Sequence, residues 1–457
     1  MDTNFNFDVN KIIAWMTNRW GRRSSLFLIL FIIGIGLLVL LTDGAISKIT
    51  PPQIILILTC EVATFIFWYF TVRVPKNKQG KIGIALSIYA ENNEQQRLID
   101  SDFIQEFREI LGGSESRELF HIVNIPRHHS LRIQTFEQAD SYRRVARCHM
   151  IVYGRTRERK ENGKSIIKVS LNCEIVHRKI KAEVSKAFSQ DITEVFPGKL
   201  NIDSENECQE FEITSNWLGL SARYIVGTAA LLSADPDLAQ SIFEPMYEIL
   251  HKQKPKLPAI KKIKQRIRLR LIDTYAFQIT YLHSLWDKNN NSIYLEKTKN
   301  FLNKLGKIDP GNYSARLSRS INYFVLDQDP QKALKEVLAC RGVRDASWRY
   351  NYAFLLAYIG RLDDAKNAYE RAFDHTDHTT IPLQCEIFIE RVLQKEPKKI
   401  QLHYFLGLIN WHGKGDLNQA IKDIEKFIEL APDDAVFSKM KRIALANIET
   451  IKGELML

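Results

Sequence analysis

The sequence predicts an α+β multidomain protein with two N-terminal transmembrane helices, a small β-α-β-α-β-β domain and a C-terminal all-α solenoid. Three observations lead to this fold class. Two long apolar runs lie within 25–75, strand and helix signals alternate over 81–200, and helical periodicity with recurring small residues fills 213–457. The 457 residues, 45% of them hydrophobic and 26% charged, have the composition of a folded chain of two or three domains.

The apolar runs are Leu26–Thr42 and Ile54–Val72. Each approaches the roughly 20 residues that a helix needs to cross a bilayer. Basic residues precede the first run and follow the second, whereas the connecting segment has one lysine. The positive-inside rule therefore predicts a protein of the bacterial inner membrane with two spans and both termini in the cytoplasm. A cleaved signal peptide over Leu26–Ala45 is the alternative, and the lack of an A-x-A-like site argues against it.

Two features accompany the spans. Residues 1–24 mix isoleucine and tryptophan with lysine and arginine, which is typical of an interfacial amphipathic segment or of a simple juxtamembrane anchor. Glu61 lies about 12 Å into the second span, where a carboxylate is costly and needs a partner. It would either join copies of the chain or form a proton or ion site, or else it is protonated or packs against the first span near Gly34 and Gly36. We favour packing, and a homo-oligomer stays open.

The middle domain begins with a strand over Ile82–Ala90 and ends with two strand-like runs around Asn162–Gly163. Asn-Gly between two such runs predicts a hairpin, because both residues tolerate positive φ. The same place reads Gly-Lys-Ser, the end of a phosphate-binding loop. Such a loop needs a second glycine where Glu158 stands, and a helix must follow it. We therefore predict no nucleotide hydrolysis here.

The run "CHMIVYGRTRERKENGKSIIKVSLNCEIVH" closes this domain. Together with the preceding elements it resembles the amino-terminal domain of TolB and the related FlgO-type domain, over about Lys81 to His177. In that family a strand ending in a glycine, here Gly154, leads into a hairpin that returns as a long strand. The resemblance implies a binding or assembly module without a catalytic set.

The carboxy-terminal half contains two segments, "YNYAFLLAYIGRLDDAKNAYERAF" and "FLGLINWHGKGDLNQAIKDIEKFIELAP", that resemble tetratricopeptide repeats. A weaker copy precedes them, in which Pro245 departs from the pattern. The resemblance implies a solenoid over 213–457 whose small residues let paired helices approach and whose concave face binds proteins or peptides. The residues that it assigns to solenoid packing and partner binding are Gly227, Ala239, Phe243, Ala353, Gly360, Ala365, Tyr369, Ala372, Gly407, Gly415, Ala420, Ile424 and Phe427.

A basic stretch over 252–270 stands out in a chain of net charge +11. Its apolar residues recur at helical spacing, so it is either a contact for an anionic partner or the solvated face of an amphipathic helix. Few aromatic residues interleave the charges, which makes nucleic-acid binding unlikely. The residues predicted as anionic contacts are Lys261, Lys262, Lys264, Arg266, Arg268 and Arg270.

The residues show no known catalytic constellation. The six cysteines form no CxxC pair, and the paired histidines, His128 with His129 and His375 with His378, are expected in loops rather than as metal ligands. We expect a scaffold and not an enzyme, with no cofactor and no metal. Its predicted role is to bind protein partners from the membrane, on the cytoplasmic side.

Two alternative functions stay open. The α/β domain would sense a nucleotide or another small anion through its basic residues Arg155, Arg157 and Arg159. The basic helix 252–270 would instead bind nucleic acid at the membrane, with a steep dependence on salt.

Overall fold

The structure is a computed structural model that describes residues 23–42, 50–91, 93–111, 119–161, 164–177, 181–196, 198–203, 207–252, 258–374 and 380–456. The chain divides into two compact units, Met1–Leu271 and Ile272–Leu457. Three sequence predictions lie outside the described residues: the interfacial segment up to residue 22, the Asn162–Gly163 turn itself, and His375 with His378.

The first unit opens with two apolar helices, α1 (Arg23–Thr42) and α2 (Pro51–Thr71). By length and composition, both are able to cross a membrane. Their most apolar windows are only 17% and 0% buried, so large apolar side chains point outward along both helices. A capping box of Thr50 and Gln53 starts α2, and the Gln53 amide also donates to the Leu41 carbonyl, 2.9 Å away, which joins the two helices.

A five-stranded mixed sheet follows, with β1 (Ile82–Ala90), β2 (Phe120–Asn124), β3 (Met150–Glu161), β4 (Lys164–Ile175) and β5 (Lys199–Asp203) in the order β2-β1-β3-β4-β5. The first three strands are parallel, and β4 and β5 are antiparallel to their neighbours. The predicted β-α-β-α-β-β order is present, but β5 and the helix before it were not predicted.

Short helices connect the strands. The segment between β1 and β2 contains α3 (Asn93–Leu98), a π-helical turn (Ile99–Phe103) and α4 (Ile104–Leu111). The other connections are α5 (Arg127–Ser130) and α6 (Phe136–Val145) before β3, and α7 (Ala182–Val195) before β5.

The two long strands β3 and β4 pair as the Asn-Gly signal predicts, with Glu161 opposite Lys164 at the tip. Farther down the hairpin, Gly154 faces Leu171. A Cβ at Gly154 would lie 2.0 Å from the Ser170 carbonyl oxygen, so the close approach of the strands requires glycine there.

Two long helices complete the first unit, α8 (Glu207–Leu232) and α9 (Pro236–Lys252). A Cβ at Gly227 would meet the Phe243 ring at 2.7 Å, so these helices pack closely. α8 also packs against α4, where Gly219 faces Ile110, and against the sheet. The contacts group α8 and α9 with the α/β elements, whereas the sequence predicts a solenoid from residue 213, and that boundary stays a prediction.

The second unit is entirely helical in the residues described. The helix α10 (Pro258–Asn289) enters it. The helices that follow are α11 (Ile293–Ile308), α12 (Tyr313–Val325), α13 (Pro330–Leu338), α14 (Ser347–Tyr358), α15 (Leu362–Phe373), α16 (Thr380–Lys395), α17 (Gln401–Leu408) with a π-helical turn (Ile409–Lys414), α18 (Leu417–Leu430) and α19 (Ala435–Leu455).

Paired helices carry the core of this unit. A Cβ at Gly407 would come within 2.4 Å of the Ile424 side chain. The close contact between α17 and α18 therefore requires glycine at this position. Gly360 and Gly415 end helical segments with φ of 86° and 72°, which glycine adopts without strain. The helix α19 packs on α18, and Met440, Ala444 and Ile451 join the same core.

Candidate functional site

Four helices of the second unit, α10, α12, α14 and α16, line one cavity of about 490 Å³. Its wall carries both apolar and polar side chains: Trp286 from α10, Ile321 from α12, Phe354 from α14, and Phe388 and Gln384 from α16. We call this cavity the inner groove. Its volume is in the range of ligand pockets and holds a few side chains of a bound segment.

Aromatic rings form the floor of the inner groove. The Phe388 ring lies 5.0 Å from Phe354, 5.8 Å from Phe324 and 6.3 Å from Trp286, between centroids, and all three contacts are edge-on. Such geometry is the favourable one for aromatic pairs. The cluster therefore connects all four helices and fixes the shape of the groove.

A charged contact holds one side of the groove. The Arg391 guanidinium of α16 donates to the Asp287 carboxylate at 2.7 Å and to the Asp287 backbone carbonyl at 2.9 Å. Because the guanidinium makes two bonds to one residue of α10, the contact sets the orientation of α16 as well as its distance. Ser284 and Gln384 nearby are exposed and form part of the polar rim.

Among the titratable groups that line the groove, burial shifts the pKa values of His283 and Cys385. Desolvation lowers the pKa of His283 to about 4, and its buried Nε2 has no hydrogen-bond partner, so the ring is neutral at physiological pH. Desolvation raises the pKa of Cys385 to about 12, which keeps the thiol protonated and a poor nucleophile. These groups suit binding rather than covalent chemistry.

The solenoid residues predicted from sequence lie elsewhere in the same unit. Ala353, Ala365, Tyr369, Ala372, Ala420, Ile424 and Phe427 are fully buried between paired helices. They position the helices and do not line the inner groove. The groove residues were missed because α10, α12 and α16 carry no recognisable repeat motif.

The basic stretch differs from its predicted role at two positions. Asp191 of α7 is 4% exposed, and the Arg270 guanidinium pairs with it at 3.0 Å. Arg266 pairs with Asp191 too, and with Glu194 at 2.7 Å. Arg266 and Arg270 therefore compensate a buried charge inside the first unit instead of facing an anionic partner, because a buried carboxylate needs paired charges.

Three of the other four predicted anionic contacts are exposed to solvent. Lys261 and Lys262 are exposed, Arg268 is exposed, and Lys264 is half-buried. The buried face carries Ile260, Ile263 and Ile267. The predicted amphipathic pattern is therefore present, and two of its basic residues, Arg266 and Arg270, pair with Asp191.

Glu61, which the sequence places inside the second predicted span, has a specific neighbour in α1. A Cβ at Gly34 would lie 2.7 Å from the Glu61 Oε1, so the carboxyl group rests against the small residue of α1. The contact agrees with the predicted packing role of Glu61, which stays a prediction.

His128 and His129 are buried in α5 rather than exposed in a loop. The His129 Nε2 lies 2.6 Å from the Val72 carbonyl at the end of α2, and its Nδ1 lies 3.1 Å from the Tyr142 hydroxyl. Burial lowers the pKa of both histidines. Within the described residues no cluster of metal-ligating side chains is present, and this pair joins α2 to the α/β domain.

The three arginines of the sensor hypothesis lie along β3. Arg155 lines a cleft of about 310 Å³ with Tyr89, Tyr153 and Asn172, near the carboxyl end of β1. Arg157 lies 3.7 Å from the Glu91 carboxylate, and Arg159 is exposed. Only Arg155 of the three lines this cleft.

Comparison with known proteins gives one match. The tetratricopeptide repeat family model matches residues 400–434, which cover α17, the π-helical turn and α18. Neither a curated protein nor a solved structure matches the chain. The resemblance of the central domain to TolB and FlgO-type domains gains no support from these comparisons.

Proposed function

We propose that this chain is a membrane-anchored adaptor that binds protein partners on the cytoplasmic side through the inner groove. The observation that carries the proposal is a tetratricopeptide repeat in the same helical unit as an aromatic groove. Repeats of this type suggest interaction between proteins, because stacked helix pairs present an extended surface.

The groove has the composition of a protein-binding hot spot. Its aromatic floor offers desolvated area to an apolar side chain, and the exposed Ser284 and Gln384 on the rim offer hydrogen bonds. The neutral His283 adds a polar atom without a charge to desolvate. We therefore expect a peptide segment with an apolar or aromatic anchor and a polar flank.

Membrane anchoring is supported by α1 and α2. A core helix of a soluble protein is mostly buried, whereas the apolar windows of these helices are 17% and 0% buried. The charges that flank the two runs favour a cytoplasmic position for both termini. Extraction of native membranes with alkaline carbonate tests anchoring: the chain should stay with the lipid, and its release would contradict an integral anchor.

Site-specific photocrosslinking tests the groove. We would place p-benzoylphenylalanine at Gln384 in the full-length chain and irradiate native membranes. The matched control is Gln394, an exposed glutamine of the same helix that does not line the groove. Crosslinks to a protein at Gln384 and not at Gln394 would support the proposal. Equal labelling at both positions, or none at either, would contradict it.

The sensor hypothesis is the second candidate, because Arg155 lines a polar cleft near the carboxyl end of the parallel strand β1, where open α/β sheets bind ligands. A nucleotide panel should then raise the melting temperature of the full-length chain, and Arg155→Gln should abolish the shift. No shift with any nucleotide would end this hypothesis. Nucleic-acid binding through the basic helix loses two of its predicted contacts, since Arg266 and Arg270 pair with Asp191.

A further inference from the structure

A second cavity of the helical unit lies outside the inner groove. It has a volume of about 550 Å³ and is lined by α13, the turn after it, α14 and α15. We call it the outer cleft. Both cavities use α14, but from different faces: Ser347, Asn351 and Phe354 line the groove, whereas Trp348, Arg349 and Tyr352 line the cleft.

Three arginines from three segments line the outer cleft. Arg341 follows α13, Arg349 belongs to α14, and Arg371 belongs to α15. Among the described residues, no carboxylate forms an ion pair with any of these guanidinium groups. The acidic residue in the lining, Asp364, pairs with Arg361 at 2.6 Å. The cleft therefore carries an excess of positive charge.

Arg349 has the most constrained position of the three. Its guanidinium carbon lies 4.8 Å from the centroid of the Trp348 ring, and its Nε is buried without a hydrogen-bond partner. Trp348 is itself fixed, because its indole N–H donates to the Val343 carbonyl at 3.0 Å. A guanidinium held over a ring keeps its planar fork oriented before any ligand arrives, which reduces the entropy lost on binding.

The guanidinium groups of the outer cleft indicate the kind of ligand that it binds. Guanidinium groups bind phosphate through paired hydrogen bonds, and a phosphate monoester brings nearly two negative charges and three acceptor oxygens at pH 7. A single carboxylate offers one charge and would leave part of the positive charge in the cleft uncompensated. The half-buried Tyr352 ring, 6.5 Å from Trp348 between centroids, adds an apolar wall for the group that bears the phosphate.

We propose that the outer cleft binds a phosphorylated side chain of a protein partner. This inference is independent of the inner groove, since it rests on Arg341, Arg349 and Arg371. It adds a second binding site and makes the adaptor sensitive to the phosphorylation state of what it binds.

Fluorescence polarisation with the full-length chain in mild detergent tests the proposal. The probe is a short alanine–glycine peptide that carries one phosphotyrosine and a fluorescein label. The same peptide with tyrosine and one with glutamate in place of the phosphotyrosine serve as ligand controls. We expect binding of the phosphopeptide at least about tenfold tighter than that of either control, as for charge-assisted bonds.

Two substitutions identify the site. Arg371→Gln should weaken phosphopeptide binding about tenfold or more, and Arg349→Lys should weaken it although the charge is kept, because lysine lacks the planar fork. The matched control is Arg442→Gln, which removes an exposed charge of α19 outside the cleft and should leave the affinity unchanged. Circular dichroism of each variant verifies its fold.

Three outcomes would overturn the proposal. The phosphopeptide binds no better than its tyrosine control, or Arg371→Gln has no more effect than Arg442→Gln. In the third, adenosine monophosphate binds at Arg371 whereas the phosphopeptide does not, which would assign the cleft to a small molecule. Failure of these tests leaves the inner groove unaffected, because the crosslinks at Gln384 report on it separately.

Discussion

The inner groove and the outer cleft share one helix, α14, yet they present opposite kinds of surface. The groove is built on Phe354, Phe388 and Trp286, whereas the cleft is built on Arg349 and Arg371. Residues three or four apart share a face of a helix, so adjacent positions of α14 belong to different sites. The difference teaches that a single helix can contribute to two binding sites. One face offers apolar side chains for burial, and the other offers positive charge.

The largest expected effect is loss of both sites at once. In Gly407→Arg the new side chain meets Ile424 within the α17–α18 contact, where a Cβ alone would lie at 2.4 Å. Overpacking together with a buried unpaired charge should destabilise the helical unit by about 4 kcal/mol or more. Thermal unfolding followed by circular dichroism measures this. Gly453→Arg is the control, because a Cβ there meets nothing within 4 Å.

A change in the aromatic floor should separate the two sites. Phe388→Ala removes a half-buried ring with three aromatic neighbours and should cost about 3 kcal/mol of unfolding free energy. We expect the crosslinks at Gln384 to disappear and phosphopeptide binding to stay. The control is Leu383→Ala, an exposed residue of the same helix. Equal loss at both sites would show that the floor supports the whole unit and not the groove alone.

The groove should also respond to acid through His283. The pKa of its ring falls from 6.5 to about 4 on burial. Above pH 6.5 the ring is neutral in both states, so it adds no pH dependence. As the pH falls from 6.5 towards 4 the unfolded chain takes up the proton first, and stability falls by an amount of the order of 2 kcal/mol.

Hydrogen exchange over residues 280–287 follows this loss locally, and His283→Gln should flatten the pH profile. The variant is needed because other histidines, such as His128 and His403, also have lowered pKa values. An identical profile in wild type and variant would assign the acid response to another group.

The smallest expected effect is a difference in salt dependence. Raising the salt concentration about tenfold shortens the Debye length, so phosphopeptide binding at the outer cleft should weaken several-fold. Crosslinking at Gln384 should change little, because the groove gains its binding energy from apolar burial. The same salt titration applied to both assays decides this comparison. An equal decline of phosphopeptide binding and of crosslinking at Gln384 would show that the two sites do not differ in the origin of their binding energy.

Short sequence patterns correctly predicted the elements whose formation depends on residues close together in the chain. The apolar runs became α1 and α2, and the Asn-Gly pair predicted the antiparallel pairing of β3 with β4. The small residues Ala353 and Gly407 marked the close helix pairs, because helices approach only where side chains are small. The family match over 400–434 covers the second of these segments.

Contacts between residues that are distant in the sequence could not be predicted from it. The basic stretch suggested six anionic contacts, but Arg270 pairs with Asp191, a residue 79 positions away that no local pattern connects to it. The inner groove was missed for the same reason, since it gathers Trp286 and Phe388 from helices that are distant in sequence. The strand β5 is as short as β2, and although its residues alternate between polar and apolar, this five-residue signal was missed.

The position of α14 has a thermodynamic consequence. A ligand that shifts this helix from one face changes the free energy of binding at the other. Linkage makes such an effect reciprocal: if a phosphorylated segment tightens binding of an anchor peptide by some factor, the peptide tightens binding of the phosphate by the same factor. A two-ligand titration would therefore measure the coupling free energy between the two faces of α14. A factor of one would mean that the two sites bind independently.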